Sequence, residues 1–261
     1  MKKPCVLIIF VILFSTISAQ NKRTFRIGME FGNGLLDAEV SDKLYIRQDF
    51  NSNDYGYNHN GRRAALEAGY SYVGIKPQAS FFNDRLNVYS GLRLMMLSSK
   101  IGNKNGRDVF YLRGNNPDAI EFYKISSLVE KNGYLTVPLE VSCNIFRSNI
   151  FSDGVYLSGF FKIGGDAGVK IYEKRNIRFR SAEMQIYEQE VLGMIDSEVN
   201  RFYATLYSAM GVQLTVSGGV QFSIEGVIPS SVRSKNNLVL VAPDNFSGFQ
   251  LSVQVPLRFI F

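Results

Sequence analysis

The sequence predicts an all-β protein, an eight-stranded antiparallel transmembrane β-barrel that follows an N-terminal signal peptide. Three observations lead to this fold class. Apolar and polar residues alternate with a period of two over eight segments, which is typical of strands with one apolar and one polar face. Most of these segments run for about 10 residues or more, the length that a tilted strand needs to cross a bilayer. The connections between them alternate between short and long, as in outer-membrane barrels.

The N-terminal residues have the pattern of a secretory signal peptide. Two lysines form its positive start, an unbroken apolar run follows, and small residues lead to a predicted cleavage after Ala19. The apolar run is much shorter than the roughly 20 residues of a transmembrane helix. We therefore expect residues 1–19 to be removed and residues 20–261 to form the barrel.

The composition is that of an ordinary folded protein, with 46% hydrophobic and 20% charged residues. The net charge is +6 for the whole chain and +4 once Lys2 and Lys3 leave with the signal peptide. No dense run of Lys and Arg occurs, so no nucleic-acid partner is expected, whereas acidic lipid headgroups are compatible with this charge. Cys5 lies in the leader, which leaves Cys143 alone in the mature chain, so no intramolecular disulfide can form.

The alternation is clearest in the last segment, where seven apolar residues from Phe249 to Phe261 share one face. The same pattern predicts seven further strands. The eight predicted strands cover 25–32, 64–81, 85–97, 134–146, 155–171, 201–215, 219–228 and 249–261. Segment 64–81 alternates less regularly, which indicates a phase change or a β-bulge near Gly74.

The predicted connections fall into two classes. Short connections are expected at 83–84, 147–153 and 218–219. Long polar connections are expected at 33–63, 98–133, 172–200 and 229–246. The Gly-Gly pair of the third short connection suits a two-residue hairpin turn. In outer-membrane barrels the short turns lie in the periplasm and the long loops lie outside.

The second long connection contains a competing signal. Asn132-Gly133 is a strong hairpin dipeptide, and residues 119–130 are compatible with a strand. We interpret them as a hairpin inside the long loop. Counting 119–130 as a spanning strand gives nine strands, against the even number of such barrels, so ten strands is the alternative.

The polar faces of the predicted strands carry charges of both signs, which favours a membrane barrel over a soluble sandwich or a lipocalin-like barrel. Turned inward, these charges neutralise one another while the apolar faces contact lipid. The predicted interior charge cluster consists of Arg26, Glu30, Glu67, Arg93, Glu140, Lys162, Asp166 and Glu225. Because side chains just fill an eight-stranded barrel, we expect the cluster to plug it, with a small conducting pore as the alternative.

Three parts of the mature chain carry family motifs. Block 83–102 combines a turn, a strand and a Ser-x-Lys-Gly-like end, residues 134–139 follow the pattern YLxxPL, and 251–261 form an aromatic last strand. These segments resemble the PorT-like family of outer-membrane β-barrel proteins from Gram-negative bacteria. The resemblance implies an eight-stranded outer-membrane barrel and a link to secretion. Phe259 and Phe261 resemble the C-terminal signal that such barrels present to the barrel-assembly machinery.

The sequence offers no catalytic, cofactor-binding or metal-binding constellation. The single histidine, His59, lies in a polar stretch of the first long connection without a recognisable partner, so no enzyme is expected. Residues 49–54 alternate oxygen-bearing side chains as a calcium loop does, but the glycine and the final acidic residue of that motif are missing. Residues 164–168 are rich in glycine but lie within a predicted strand, where small residues relieve crowding.

The sequence therefore favours a non-enzymatic outer-membrane barrel whose long loops mediate surface or envelope interactions or serve secretion. The alternatives are a small passive pore and a soluble lipocalin-like barrel that binds lipid. The expected partners are outer-membrane lipid, the barrel-assembly machinery and secretion-system or envelope proteins, with no cofactor. Both termini are expected in the periplasm.

Overall fold

The computed structural model describes seven stretches of the chain. They are 24–40, 46–48, 65–102, 110–113, 122–150, 154–195 and 198–257. The predicted signal peptide at 1–19, the stretch 49–54, His59, Phe259 and Phe261 lie outside these residues, so the expectations about them stay predictions.

Eleven strands and two short helical segments make up the described residues. The strands are β1 (Thr24–Val40), β2 (Ile46–Gln48), β3 (Ala65–Phe81), β4 (Leu86–Tyr89), β5 (Leu92–Gly102), β6 (Phe110–Arg113), β7 (Phe122–Asn149), β8 (Tyr156–Phe179), β9 (Phe202–Thr215), β10 (Gln221–Val232) and β11 (Val241–Pro256). The helical segments are a 3-10 helix (Ala182–Tyr187) and α1 (Glu188–Met194).

Nine of these strands form an antiparallel sheet that closes into a ring. β1 pairs with β3 on one side and with β11 on the other, and the ring continues from β3 through β5, β7, β8, β9 and β10 to β11. β4 and β5 lie end to end between β3 and β7, so the ring has eight strand positions. The predicted all-β, eight-stranded antiparallel barrel is confirmed.

The short connections at 83–84 and 218–219 lie at one end of the barrel, which we call the turn end; the opposite end is the loop end. The third connection, predicted at 147–153, starts later than expected because β7 continues to Asn149, and residues 151–153 lie outside the described residues. Asn83 and Asp84 turn the chain with φ angles of 55° and 68°. Gly218 and Gly219 have φ angles of 93° and 88°. This region favours glycine, because the Cβ of any other residue would clash with the backbone there. The predicted turns at 83–84 and 218–219 are confirmed.

The connections at the loop end contain more regular structure than the sequence indicated. β1 continues to Val40, β7 begins at Phe122 and β8 ends at Phe179, well inside the ranges predicted as polar loops. The helical segments occupy part of the third connection. The prediction of loops is therefore wrong where these strands and helices lie. The ranges concerned are 33–63, 98–133, 172–200 and 229–246. In the strands, the neighbouring strands provide hydrogen-bond partners for the backbone N–H and C=O groups.

The prediction of a hairpin at Asn132-Gly133 is also wrong. β7 is one strand of 28 residues that runs straight through this dipeptide, with a register shift against β8 after Gly133. β5 pairs with one edge of β7 and β8 with the other at this point. Pairing on both edges therefore overrides the local turn propensity of Asn-Gly, and residues 122–130 extend β7 rather than form a separate strand.

The expected bulge near Gly74 does not occur. β3 pairs with β1 and β5 without a register shift, and its even-numbered residues face inward from Tyr70 to Ser80. The apolar side chains nevertheless change face: Tyr70 and Tyr72 lie inside, whereas Val73 and Ile75 are exposed. The barrel interior is apolar near the loop end and polar below it, so the sequence pattern shifts while the strand keeps its phase.

The outward faces of the ring carry exposed hydrophobic side chains, which we call the apolar belt. Its members on β1 and β7 are Phe25, Ile27, Met29, Phe31, Leu35, Leu135, Val137, Leu139, Val141 and Ile145, and the other strands of the ring contribute in the same way. On β7 the belt extends over about 33 Å of strand, or about 25 Å along the barrel axis at the usual tilt. Cys143 is exposed on the same strand.

Candidate functional site

The barrel interior contains three layers of different chemistry. Next to the turn end lies a layer of amides and hydroxyls, in the middle a layer of charged side chains, and next to the loop end an aromatic and aliphatic layer. The charged layer consists of Glu30, Lys76, Arg93, Glu140, Lys162, Asp166 and Glu225, none of them more than 5% exposed. These residues come from six strands, so ring closure is what brings them together.

Arg93 on β5 joins three carboxylates. Its guanidinium forms a two-point contact with Glu30, with Nη2 donating to Oε2 at 2.9 Å, and also donates to Glu140. Nη1 donates to Asp166 Oδ1 at 2.7 Å and to the Tyr207 hydroxyl at 2.8 Å. The planar fork of arginine suits this arrangement because its five N–H groups bind several acceptors at once.

Glu140 on β7 contacts all three cations of the layer. Its Oε2 lies 2.5 Å from Lys76 Nζ and 3.1 Å from Lys162 Nζ, and its other oxygen accepts from Arg93. Lys76 also lies 3.1 Å from Glu30, and Lys162 forms an ion pair with Glu225. The seven groups therefore form one continuous network with Glu140 at its centre.

Glycine makes room for this network. A Cβ on Gly164 would lie 2.9 Å from the Cγ of Glu140, and a Cβ on Gly74 would lie 3.0 Å from Glu30 Oε1. Both positions face the interior, so any larger side chain would displace the carboxylates. The glycine-rich stretch 164–168 lies within β8, as the sequence predicted.

The structure brings together six of the eight residues predicted for the interior cluster: Glu30, Arg93, Glu140, Lys162, Asp166 and Glu225. Arg26 is buried nearer the turn end. Glu67 is misassigned: it lies on the outward face of β3, its side chain is 49% exposed, and it lies 3.6 Å from Lys100 Nζ. Sequence reasoning missed Lys76 because it assumed a phase change in β3. A constant alternation from Tyr70 would have placed Lys76 inside.

Arg26 links two turns at the turn end. Its Nη1 and Nη2 donate to the two oxygens of Asp84 at 2.9 and 3.1 Å, and its Nε donates to the carbonyl oxygen of Gly219 at 3.2 Å. Asp84 was predicted only as a turn residue, and its pairing with Arg26 depends on the closed ring. Through Asp84 and Gly219, Arg26 thus connects β1 to the end of β3 and to the start of β10.

The loop end is closed from inside by the chain between β10 and β11. Residues 237–240 fold back into the barrel and are buried. We call them the inserted segment. The buried Glu130 carboxylate accepts the backbone N–H groups of Val239, at 2.8 Å, and Leu240, at 3.0 Å. Asn132 Nδ2 donates to the carbonyl oxygen of Asn237 at 2.8 Å. Asn132 is thus used as a strand residue that binds the inserted segment.

Aromatic side chains and α1 complete the closure of the loop end. The rings of Tyr134 and Tyr203 pack at a tilt with their centroids 5.2 Å apart, and Phe246 packs edge-on against Tyr70 at 5.4 Å. Val191 of α1 is fully buried in the same core. The barrel interior is thus filled by charges in its middle and by hydrophobic side chains at its loop end.

Comparison with known proteins gives structural neighbours only. No family model and no curated protein matches the chain. The chain is similar in structure to the outer membrane protein OprG from Pseudomonas aeruginosa, with 13% identity over 87% of this chain and 94% of that one, and a TM-score of 0.43. It is also similar to Ail, the attachment invasion locus protein of Yersinia pestis, with 9% identity over 88% and 97% of the two chains and a TM-score of 0.32.

No group of three or more His, Cys, Asp or Glu side chains in the described part of the chain is arranged to hold a metal ion. No helix in the described part of the chain is both long and apolar enough to cross a membrane.

Replacing Arg93 tests whether the charged layer stabilises the barrel. Arg93→Met leaves three buried carboxylates with fewer positive partners, so we expect the free energy of unfolding to fall by about 3–5 kcal/mol. Urea unfolding in detergent micelles measures this change. Arg233→Met, at an exposed position, should stay within about 0.5 kcal/mol of the wild type. Equal losses in the two variants would contradict a structural role for the layer.

Replacing Glu130 tests the attachment of the inserted segment. Glu130→Gln removes the charge that strengthens two hydrogen bonds, at a cost of about 1–3 kcal/mol. We expect amide hydrogen exchange of Val239 and Leu240 to accelerate about 10- to 100-fold, while the ring strands keep their protection. Glu183→Gln removes an exposed carboxylate of the 3-10 helix, and it should leave both amides unchanged.

Proposed function

We propose that this protein is a sealed, non-enzymatic outer-membrane β-barrel whose loop end serves as a platform for surface or envelope interactions. The observation that carries the proposal is that two features fill the interior, the charged layer and the inserted segment. The ring around them carries the apolar belt on its outside. A secretion-associated role, as the PorT-like resemblance implies, is one form of this function.

The distribution of polarity supports a membrane location. The apolar belt faces outward over about 25 Å, the height of the lipid-facing band of outer-membrane barrels. The charged layer faces inward at the same height, and ring closure pairs the strands on both edges, as lipid requires. A soluble lipocalin-like barrel needs the opposite arrangement, an apolar interior that holds lipid and a polar exterior, so this alternative is disfavoured.

The loop end carries the features expected of an interaction platform. β7 and β8 extend beyond the belt there and pair as far as Ile125 and Phe179. Their outward side chains beyond the belt include charged residues such as Lys131 and Lys174. In the proposed orientation the turn end faces the periplasm, together with both termini, and the loop end faces outward.

An arginine in the apolar belt tests the membrane location. Leu139, near the middle of the belt, is 64% exposed. We expect Leu139→Arg to lower the stability of the barrel in phosphatidylcholine vesicles by about 2–4 kcal/mol, the cost of a charge at the bilayer midplane. Ile186→Arg, on the exposed 3-10 helix outside the ring, serves as the control. It should change stability by less than about 0.5 kcal/mol.

Single-channel recording in planar bilayers tests whether the interior is closed. Because side chains fill the lumen, we expect the folded wild type to produce no more conductance steps than the unfolded chain in the same detergent. A porin of known conductance is the positive control for insertion. Reproducible steps of uniform size from the folded wild type would favour the passive pore instead.

A further inference from the structure

Three basic side chains lie on the outward face of β7 and β8 near the loop end. Lys131, Lys174 and Arg178 are exposed, whereas their neighbours Glu130, Asn132, Ile177 and Phe179 are buried inside. We call these three residues the basic face. Lys131 and Lys174 are direct partners in the antiparallel pairing, and Arg178 lies further along β8, opposite Ser127.

The pairing of Lys131 with Lys174 is unfavourable by itself. Side chains at directly opposed positions of an antiparallel pair lie about 5 Å apart at Cβ, and like charges there destabilise the sheet. The carboxylates of Glu67 on β3 and Glu173 on β8 have other partners: Glu67 pairs with Lys100, and Glu173 pairs with Lys170 and Arg175. Among the described residues, no carboxylate forms an ion pair with the basic face, so an anion from outside the chain would relieve the repulsion.

The basic face lies at the border of the apolar belt. On β7 the outward side chains run from Leu135 across Gly133 to Lys131. On β8, Tyr172 is exposed next to Gly133, and Lys174 follows it on the outward face. Tyrosine is enriched where a membrane protein meets the headgroups. The ammonium groups of the two lysines therefore lie at headgroup height when the belt lies in the bilayer.

The strands on the opposite side of the barrel carry acidic side chains at the loop end. In the ring order, the border between β1 and β11 lies diametrically opposite the border between β7 and β8. The exposed charged residues at the loop end of β1 and β11 are acidic: Asp37, Glu39 and Asp244.

We propose that the basic face binds the phosphate groups of an outer-leaflet lipid headgroup. Two ammonium groups and a guanidinium group match a phosphorylated headgroup in charge and in hydrogen-bond donors. The inference rests on the proposed membrane location, because that location brings headgroups to this height.

Native mass spectrometry of the detergent-folded, full-length mature chain tests this inference with diphosphorylated lipid A as the probe. We expect Lys131→Gln/Lys174→Gln to bind the lipid about 30-fold more weakly, the factor that corresponds to about 1 kcal/mol for each of two cations near an anionic surface. The matched control Arg233→Gln/Lys235→Gln also removes two exposed charges at the loop end, and it should bind within about two-fold of the wild type.

Two further ligands identify the group that is bound. Lipid A without phosphates should bind the wild type as weakly as diphosphorylated lipid A binds the double variant. Millimolar inorganic phosphate should not displace lipid A, and displacement would mean a site for free phosphate, which overturns the proposal. Equal losses in both double variants would also overturn it, because they would indicate a general effect of charge.

Folding into phosphatidylcholine vesicles, read from the heat-dependent shift in gel mobility, separates the two proposals. If the wild type does not fold into vesicles, both the membrane location and the lipid site fail. If the wild type and both double variants fold equally well and also bind lipid A equally well, the proposed lipid site is wrong, whereas the proposed membrane barrel is supported.

Discussion

The structure depends on the contact of Glu140 with Lys76, Arg93 and Lys162 inside a closed ring. Seven charged groups buried at this depth are costly to remove from water unless each finds opposite charge within hydrogen-bond distance. They find it because strands far apart in sequence face one another across the interior. Closure of the sheet and neutralisation of the charges therefore require each other.

Along only part of its length, the barrel has polar side chains inside and apolar side chains outside, the reverse of a soluble protein. At the height of the belt, apolar side chains face outward and the charged layer faces inward. Near the loop end the relation changes back: Tyr134, Leu238 and Leu240 form an interior core, and Lys131 and Lys174 face outward. One set of strands thus carries two patterns of polarity, and the basic face lies where they meet.

Asn132 and Lys76 illustrate why residue types alone did not predict part of the candidate site. The dipeptide Asn132-Gly133 has a strong local preference for a hairpin, but Asn132 binds the inserted segment 105 positions away. Lys76 appeared to be out of phase because the apolar residues of β3 change face while the strand does not. Glu67 failed for the opposite reason: its type suited the interior, but its odd-numbered position in β3 faces outward. In each case residue type suggested one answer and long-range pairing decided another.

The sequence by itself determined the fold class, the number of strand positions and the turns at 83–84 and 218–219, because alternation and turn chemistry are local properties that neighbouring residues encode. It also indicated six members of the charged layer, since charges on the polar face of a strand must lie opposite the belt. Only the tertiary structure decided how these charges pair, how far the strands continue, and that the chain before β11 folds back to close the loop end. These features depend on which strands become neighbours when the ring closes, and no local pattern specifies that.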